Sequence, residues 1–307
     1  MIPARASSAL LCGLCALRAL CVKYLSTIVL LAALLLIALI TAAPAPAPQA
    51  AASRFYLGFD RNIYPGDAAL PLLRKTFSFA SYWLSPPPGE KTSTWKGKRK
   101  LLLSHGFGFL VLYRGRDSRE FKNAEHARRT GEQDAVVTAE AAKNDGFPRD
   151  TIIFLDIEEG GRLSPAYHSY IQGWLWTLTT RDYQGGFYCS GMPVTEDPHT
   201  TITTADDIIS DLFFKSRAFT LWAYNDACPP SPGCAFPRDP PAPSDSGIDG
   251  ATVWQFAQSP QRKDVGARCT NYSRDGNCYP PGTNPAQGLH IDLNTATSAD
   301  PSHGRTH

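Results

Sequence analysis

The sequence predicts an α/β protein, an irregular (β/α)8 TIM-type barrel, from three observations. Short runs of β-branched and aromatic residues alternate with helical patterns or long connections, which is typical of a parallel sheet. There are eight such runs, the number that closes a β/α barrel. The last two connections, 225–250 and 258–288, are rich in proline and glycine and show no helical period. Helices are therefore expected to be poorly represented after strands 6 and 7.

The elements follow one another in a regular order along the chain. The strands are predicted at 55–60, 77–84, 106–113, 152–156, 185–190, 219–224, 252–257 and 289–294. Helical patterns occupy 67–75, 93–105, 123–144, 165–181 and 206–214. The pattern at 123–144 is the strongest, because it is rich in Ala, Glu and Lys and is closed by Gly146-Phe-Pro148.

The amino-terminal part is distinct from the predicted barrel. Residues 1–43 combine basic residues with the apolar run Tyr24–Ala43 and predict a signal peptide or an N-terminal membrane anchor. An Ala/Pro linker follows at 44–53, the barrel at 54–297 and a tail, expected to be disordered, at 298–307. In either case the barrel leaves the cytoplasm, so we expect a secreted, periplasmic or cell-surface protein.

Composition and charge restrict the partners. Hydrophobic residues make up 43% of the chain and charged residues 19%, which suits a globular core. The net charge is +2, and the segment 1–53 contributes three basic residues and no acid, so the remainder is close to neutral. Nucleic acid is not an expected partner. We expect a monomer without a cofactor, in contact with a membrane only through an uncleaved N-terminal segment.

Four of the eight cysteines predict disulfides formed after export. Cys228 and Cys234 bracket a Pro-rich loop, Cys269 and Cys278 bracket a second loop, and each close pair predicts a local bridge. Metal binding is the alternative, but no histidine cluster accompanies these residues, and no metal site is expected. Cys189, on a predicted strand, is expected to be a buried thiol.

Carboxylates at the ends of predicted strands are the main candidates for chemistry. Asp156 and Glu158 follow the apolar run 152–155 and point to the same face of the strand. Asp60 ends the first strand and Asp292 lies in the last, so all four are expected at one rim of the barrel. Confined like charges raise one another's pKa, which provides a general acid at neutral pH. The alternative is that these acids cap structural elements.

Aromatic residues are expected on the same rim. We expect sugar rings to stack on some of them, while others fill the barrel or pack under helices. The candidates for substrate binding are Tyr113, Tyr188, Trp222, Tyr224 and Trp254. A carboxylate cleft with aromatic walls suits a polysaccharide.

Five motifs carry a resemblance to a known family. They are Gly58-Phe-Asp60, Leu155-Asp-Ile-Glu158, Leu221-Trp-Ala-Tyr224, Val253-Trp-Gln-Phe256 and Ile291-Asp-Leu-Asn294. Their order is similar to that in family 25 glycoside hydrolases, the muramidases. Gly58-Phe-Asp-Arg-Asn62 with Tyr64-Pro-Gly66 more closely resembles a bacterial exported glycoside hydrolase-like domain of unknown function that is related to that family. The loop 61–64 departs from the short polar turn of the muramidases.

The resemblance implies a role for each carboxylate. Glu158 matches the general acid, Asp156 and Asp292 match carboxylates that orient or stabilise the reacting sugar, and Asp60 matches the acid of the first strand. The leading hypothesis is therefore hydrolysis of a (1,4)-linked N-acetylated glycan of peptidoglycan type. The alternatives are a non-catalytic glycan-binding barrel of the cell envelope and a structural envelope protein.

Overall fold

The computed structural model describes residues 55–213 and 218–305. The predicted signal peptide or membrane anchor, 1–43, and the predicted linker, 44–53, lie outside the described residues. None of the described helices is both long and apolar enough to cross a membrane. The predicted barrel falls almost wholly within the described part of the chain.

Eight strands form a closed barrel, and each corresponds to a predicted strand. They are β1 (Tyr56–Asp60), β2 (Phe79–Trp83), β3 (Gly108–Arg114), β4 (Ile152–Asp156), β5 (Gln184–Ser190), β8 (Thr220–Tyr224), β9 (Ala251–Ala257) and β10 (Asp292–Ala296). Around the barrel the order is β1, β10, β9, β8, β5, β4, β3, β2. The strands β6 (Val194–Asp197) and β7 (Thr200–Ile202) form a separate hairpin that the sequence pattern did not predict. The irregular (β/α)8 barrel is confirmed.

The helices lie in the first two thirds of the barrel. They are α1 (Leu70–Leu73), α2 (Arg99–Ser104), α3 (Ala124–Asn144), α4 (Pro165–Thr179) and α5 (Thr204–Phe213). The connections after β8 and β9, both fully described, contain only short 3-10 turns at Pro243–Ser246 and Pro285–Gln287. The expected scarcity of helices on this side is therefore confirmed.

The two long helices begin at side-chain caps and pack closely. The Asn123 side chain accepts a hydrogen bond from His126 N at the start of α3, and Ser164 caps α4. Gly131 of α3 and Gly173 of α4 lie where the helices cross. A Cβ atom at either glycine would come within 2.2–2.4 Å of a carbonyl oxygen of the other helix. Two glycines therefore permit the close contact between these two helices.

The last strand departs from the predicted parallel arrangement. β10 is antiparallel to both of its neighbours, β1 and β9. A parallel connection needs a crossover, usually a helix, that returns the chain to the opposite end of the sheet. The connection 258–291 has no α-helix, and Ser259 N, just beyond β9, donates to Asp292 Oδ1 at 2.6 Å. The chain therefore re-enters the barrel at the end where β9 left it, and an all-parallel barrel is the wrong prediction.

The tail also differs from the prediction, because residues 298–305 pack across the amino-terminal end of the barrel strands. Ser302 Oγ accepts a hydrogen bond from Val111 N at 2.8 Å. Asp300 Oδ1 accepts one from Phe109 N, and Ile152 N donates to Ser302 O, both at 2.8 Å. The polar composition suggested disorder, but these polar groups serve as partners for strand N–H groups. The prediction of a disordered tail is wrong for 298–305.

The cysteines pair between the two loops and not within each. Cys228 is bonded to Cys269, and Cys234 to Cys278. The loops lie side by side, since Cys234 N also donates to the carbonyl of Thr270 at 3.1 Å. All four predicted cysteines form disulfides, but the prediction of local pairing is wrong. Cys189 is a buried free thiol, as expected.

The packing of the tail predicts the effect of one substitution. In Ser302→Ala, Val111 N loses its partner in a buried environment, so we expect the free energy of unfolding to fall by about 1–3 kcal/mol. The control is Ser104→Ala, an exposed serine whose hydroxyl contacts only its own helix and for which we expect a change below about 0.5 kcal/mol. Urea denaturation compares the two. Equal effects would contradict the packing described for the tail.

The disulfide pairing predicts a peptide map. Proteolysis without reduction should release one cross-linked peptide that contains Cys228 with Cys269 and another that contains Cys234 with Cys278, identified by mass spectrometry. A peptide that joins Cys228 to Cys234 would contradict the arrangement of the two loops.

Candidate active site

Three aspartates lie at one rim of the barrel, where β1 and β4 end and β10 begins. Asp60 and Asp292 are direct partners across the β1–β10 pair, and Asp156 is the last residue of β4. Asp60 is 7% exposed and Asp156 2% exposed. The antiparallel direction of β10 is the reason that Asp292, at its first residue, reaches this rim.

Glu158 lies two residues beyond Asp156 on the same side. The intervening Ile157 is buried, and its N–H donates to the carbonyl of Tyr188 on β5 at 2.9 Å. Glu158 itself is exposed. Its charge raises the pKa of Asp60, Asp156 and Asp292 alike. All four predicted carboxylates are therefore brought within electrostatic range, with Glu158 as their common neighbour.

Burial raises the pKa of Asp60 to about 6. The Ser81 side chain, the backbone of Arg61 and the Trp83 side chain lower it in part, and the charge of Glu158 adds to the rise. The ionised form of a carboxyl group loses hydration when it is buried, so the neutral form is favoured. Asp60 therefore titrates in the range where a carboxyl group can still carry a proton near neutral pH.

The pKa values of Asp156 and Asp292 are raised well above the usual range. For Asp156 the causes are burial, then the charges of Glu158 and Asp60, and a hydrogen bond to Glu158, opposed by the charge of Arg114. For Asp292 they are burial and then the charge of Asp60, opposed by the hydrogen bond from the backbone of Ser259. The neutral Asp156 carboxyl donates a hydrogen bond to Glu158, so these two side chains form a hydrogen-bonded acid pair.

A chain of hydrogen bonds from β5 and β9 holds the carboxylate of Asp292 in place. Tyr188 Oη donates to Gln255 Oε1 at 2.8 Å, and Gln255 Nε2 donates to Asp292 Oδ2 at 3.5 Å. Ser259 N donates to the other oxygen of Asp292 at 2.6 Å. Neither Gln255 nor Ser259 was a predicted site residue. Gln255 lies in the Trp-Gln motif of β9, and its position opposite Asp292 depends on the antiparallel register.

Two of the predicted substrate-binding aromatics are core residues. Trp222 and Trp254 are fully buried. Trp222 Nε1 donates to Asn294 Oδ1 at 3.0 Å, and Trp254 Nε1 donates to Asn225 O at 2.8 Å. Their rings fill the barrel and their polar atoms have internal partners, so the prediction that they bind substrate is wrong.

The three tyrosines lie closer to the rim. Tyr188 and Tyr224 are stacked with ring centroids 6.0 Å apart, and Tyr188 lies within electrostatic range of all four carboxylates. Tyr113 lines a cavity of about 460 Å³ beside the site, and burial raises its pKa to about 12. These three remain candidates for substrate binding.

A fifth carboxylate, Asp226, was not predicted. It follows β8 by two residues, is 2% exposed, and burial raises its pKa. Arg262 Nη1 lies 3.8 Å from its Oδ1, and the same guanidinium donates a hydrogen bond to Tyr224 Oη. Asp226 also adds to the rise in the pKa of Asp292. The spacing from the strand end is the one that Glu158 has from β4, and this pattern could have revealed it.

Two cavities are lined by the carboxylates of the rim. Asp156 and Glu158 line one of about 440 Å³, and Asp60 and Asp292 line one of about 280 Å³. Within 55–213 and 218–305, no group of three or more His, Cys, Asp or Glu side chains is arranged to hold a metal ion. The site can bind a polar ligand and transfer protons.

Solved structures with a similar fold come from several bacteria. An uncharacterised protein of B. stearothermophilus is 19% identical, with 78% of this chain and 95% of that chain covered and a TM-score of 0.49. The Tat-secreted protein Rv2525c of Mycobacterium tuberculosis, in complex with L-tartrate, is 14% identical, with 82% and 100% covered and a TM-score of 0.47. GHIP, a glycosyl hydrolase 25 of Streptococcus pneumoniae, is 11% identical, with 81% and 89% covered and a TM-score of 0.47. Among curated proteins, none matches this chain.

The family comparison concerns the central part of the chain. Residues 89–228 match the family described as Rv2525c-like, glycoside hydrolase-like domain. This range contains β3, β4, β5 and β8, with Asp156 and Glu158. The resemblance expected from the sequence is thereby confirmed for residues 89–228, which are similar to the Rv2525c-like, glycoside hydrolase-like family.

Proposed function

We propose that this protein is an exported glycoside hydrolase that cleaves a (1,4)-linked N-acetylated glycan of peptidoglycan type. The observation that carries the proposal is the acid pair: exposed Glu158 lines a cavity and accepts a hydrogen bond from buried Asp156. Glycoside hydrolysis needs one carboxyl group to protonate the leaving oxygen and a second to assist at the anomeric carbon. The family match at 89–228 supports the same class of reaction.

The different burial of the two side chains favours one assignment of roles. Glu158 is exposed to the cavity, so it is the group that reaches the glycosidic oxygen and gives it a proton. Asp156 is 2% exposed and keeps a proton within the pair. When Glu158 protonates the leaving oxygen, it passes on the proton that it receives from Asp156 through their hydrogen bond, and the ionised Asp156 can then stabilise positive charge on the sugar. The acetamido oxygen of the substrate, or water, then attacks the anomeric carbon.

Asp60 and Asp292 complete the proposed site. Each lines the second cavity, and Asp292 is held by Ser259 and Gln255. Asp60 Oδ1 and Asp156 Oδ2 are buried oxygens that have no hydrogen-bond partner within the described residues. Buried polar atoms without partners are costly, and the hydroxyl or amide groups of a bound glycan would supply partners. We assign Asp60 and Asp292 to the binding and orientation of the sugar.

Export is the setting that fits the proposed substrate. Two disulfides join the loops 225–250 and 258–291 at the rim of the site. Disulfides persist in oxidising compartments outside the cytoplasm, where cell-wall glycan also lies. The predicted signal peptide or anchor at 1–43 points the same way.

Removal of the proposed acid tests the function directly. Glu158→Gln should lower the rate at which the full-length protein releases reducing ends from purified peptidoglycan by about 100-fold or more. Mass spectrometry of the soluble products identifies the cleaved bond. The matched control is Glu159→Gln, which changes the same charge one residue along. Glu159 accepts a hydrogen bond from Ser118 N at 2.8 Å, and we expect its loss to lower the rate much less.

Three outcomes of this comparison are informative. Cleavage by Glu158→Gln at the wild-type rate would contradict the assignment of the acid. Retention of wild-type protein on peptidoglycan without products would indicate a glycan-binding barrel. Equal losses in both variants would attribute the effect to local structure.

The raised pKa of Asp60 predicts a stability difference that depends on pH. The folded protein holds this proton up to a pKa of about 6, whereas the ordinary value is 3.8. The stabilising contribution of the neutral form is therefore complete below pH 3.8 and is lost as the pH rises through about 6. At pH 8 the ionised carboxylate costs roughly 3 kcal/mol of folding free energy.

Asp60→Asn removes this cost because its side chain is neutral at every pH. We expect the variant to exceed wild type in free energy of unfolding at pH 8, by up to roughly 3 kcal/mol, and the difference to shrink towards pH 4. Urea denaturation at the two pH values measures it. The raised pKa of Asp60 would be contradicted if the variant were less stable than wild type at pH 8, or if the difference in stability did not change with pH.

A further inference from the structure

Arg114, which the proposed reaction does not use, is held at the rim beside the acid pair. It is the last residue of β3 and the direct partner of Asp156 on β4. Its own N–H donates to Ser85 Oγ at 2.8 Å, and the next N–H, of Gly115, donates to Asp156 O at 2.9 Å. A Cβ atom on Gly115 would lie 2.4 Å from that carbonyl oxygen. The backbone that carries Arg114 is therefore fixed on both sides.

The Arg114 side chain faces two cavities. It lines the cavity of about 440 Å³ that contains Asp156 and Glu158. It also lines the neighbouring cavity of about 460 Å³ that contains Tyr113. A group bound by this guanidinium would therefore lie next to the glycosidic oxygen that Glu158 is proposed to protonate.

Arg114 differs from Arg116 and Arg119, the other arginines of the cavity of about 440 Å³, because no hydrogen bond or ion pair holds its guanidinium, although its charge lowers the pKa of Asp156. Arg116 donates two hydrogen bonds to Asp134, at 2.7 and 2.8 Å. Arg119 donates two to Asp117. For the exposed side chain of Arg114, neither a hydrogen bond nor an ion pair is found among residues 55–213 and 218–305. One guanidinium of this cavity thus remains for a ligand.

The chemistry of that ligand follows from the surroundings. A guanidinium binds a carboxylate through two parallel hydrogen bonds. A single unpaired cation matches one negative charge, and a more highly charged group would be repelled by Glu158. We propose that Arg114 binds a carboxylate on the sugar unit next to the cleaved bond, so that the protein selects an acidic glycan. The substrate class rests on the proposed function, whereas the anion site rests on Arg114 and its cavities.

Binding measurements with matched ligands test this inference. The probes are a hyaluronan tetrasaccharide with its carboxyl-reduced form, and the N-acetylglucosamine–N-acetylmuramic acid disaccharide with its methyl ester. Calorimetry with the full-length protein carrying Glu158→Gln avoids cleavage of the probes. In at least one pair we expect the carboxylate form to bind about ten-fold more tightly than the neutral form. The pair that responds identifies a uronate or a lactyl carboxylate.

Two variants locate the effect. Arg114→Gln should abolish the preference for the carboxylate form. Arg119→Gln removes the same charge from the same cavity, but its guanidinium already binds Asp117, so the preference should remain. The inference is overturned if neither pair shows a preference, if no probe binds, or if both variants have the same effect. A wild-type protein that shows the Arg114-dependent preference yet cleaves no glycan would refute the hydrolase and leave the anion site standing.

Discussion

The antiparallel strand β10 closes the barrel, and its direction determines which residues meet at the candidate active site. A parallel last strand would present its carboxyl end, near Asn294, to this rim. Because β10 enters at the rim, its first residue pairs with the last residue of β1, and Asp292 lies beside Asp60. The same register sets Gln255 of β9 against Asp292. The position of every group on this side of the site depends on that closure.

The burial of several aspartates at one rim costs folding free energy, and this cost indicates a function for them. Asp60, Asp156, Asp226 and Asp292 all have a pKa raised first by burial. A helix cap needs only one acid, on an exposed turn, and gains stability from its charge. Acids with a pKa raised by burial and by one another are typical of functional sites. The third hypothesis, in which these acids are structural caps, does not account for this burial.

Much of the fold could be predicted from the sequence because its patterns are local. The apolar runs located the strands. The expectation that acids at strand ends meet at one rim of a barrel located Asp60, Asp156 and Glu158. Asp292 was expected at the correct rim, although through a parallel strand that is in fact antiparallel. Strand direction depends on where the connection 258–291 travels, and no local pattern records that path.

The errors share a physical origin in contacts between distant parts of the chain. Cys228 pairs with Cys269 because two loops lie side by side, which spacing along the chain cannot show. Trp222 and Trp254 were expected at the rim, but both rings are fully buried in the interior of the barrel. The tail is ordered because its polar groups complete the hydrogen bonds of strands far away in sequence. Arg114 is recognised as an unpaired arginine only when the ion pairs of Arg116 and Arg119 are known.

The convergence of the carboxylates on Glu158 is the central claim, and carboxyl-carbon NMR titration tests it most directly. The charge of Glu158 raises the pKa of three aspartates that come from three different strands. Replacement of Glu158 by Gln should therefore lower the titration midpoints of Asp60, Asp156 and Asp292 together. If those midpoints stay where they are in the wild-type protein, the four carboxylates do not share one site.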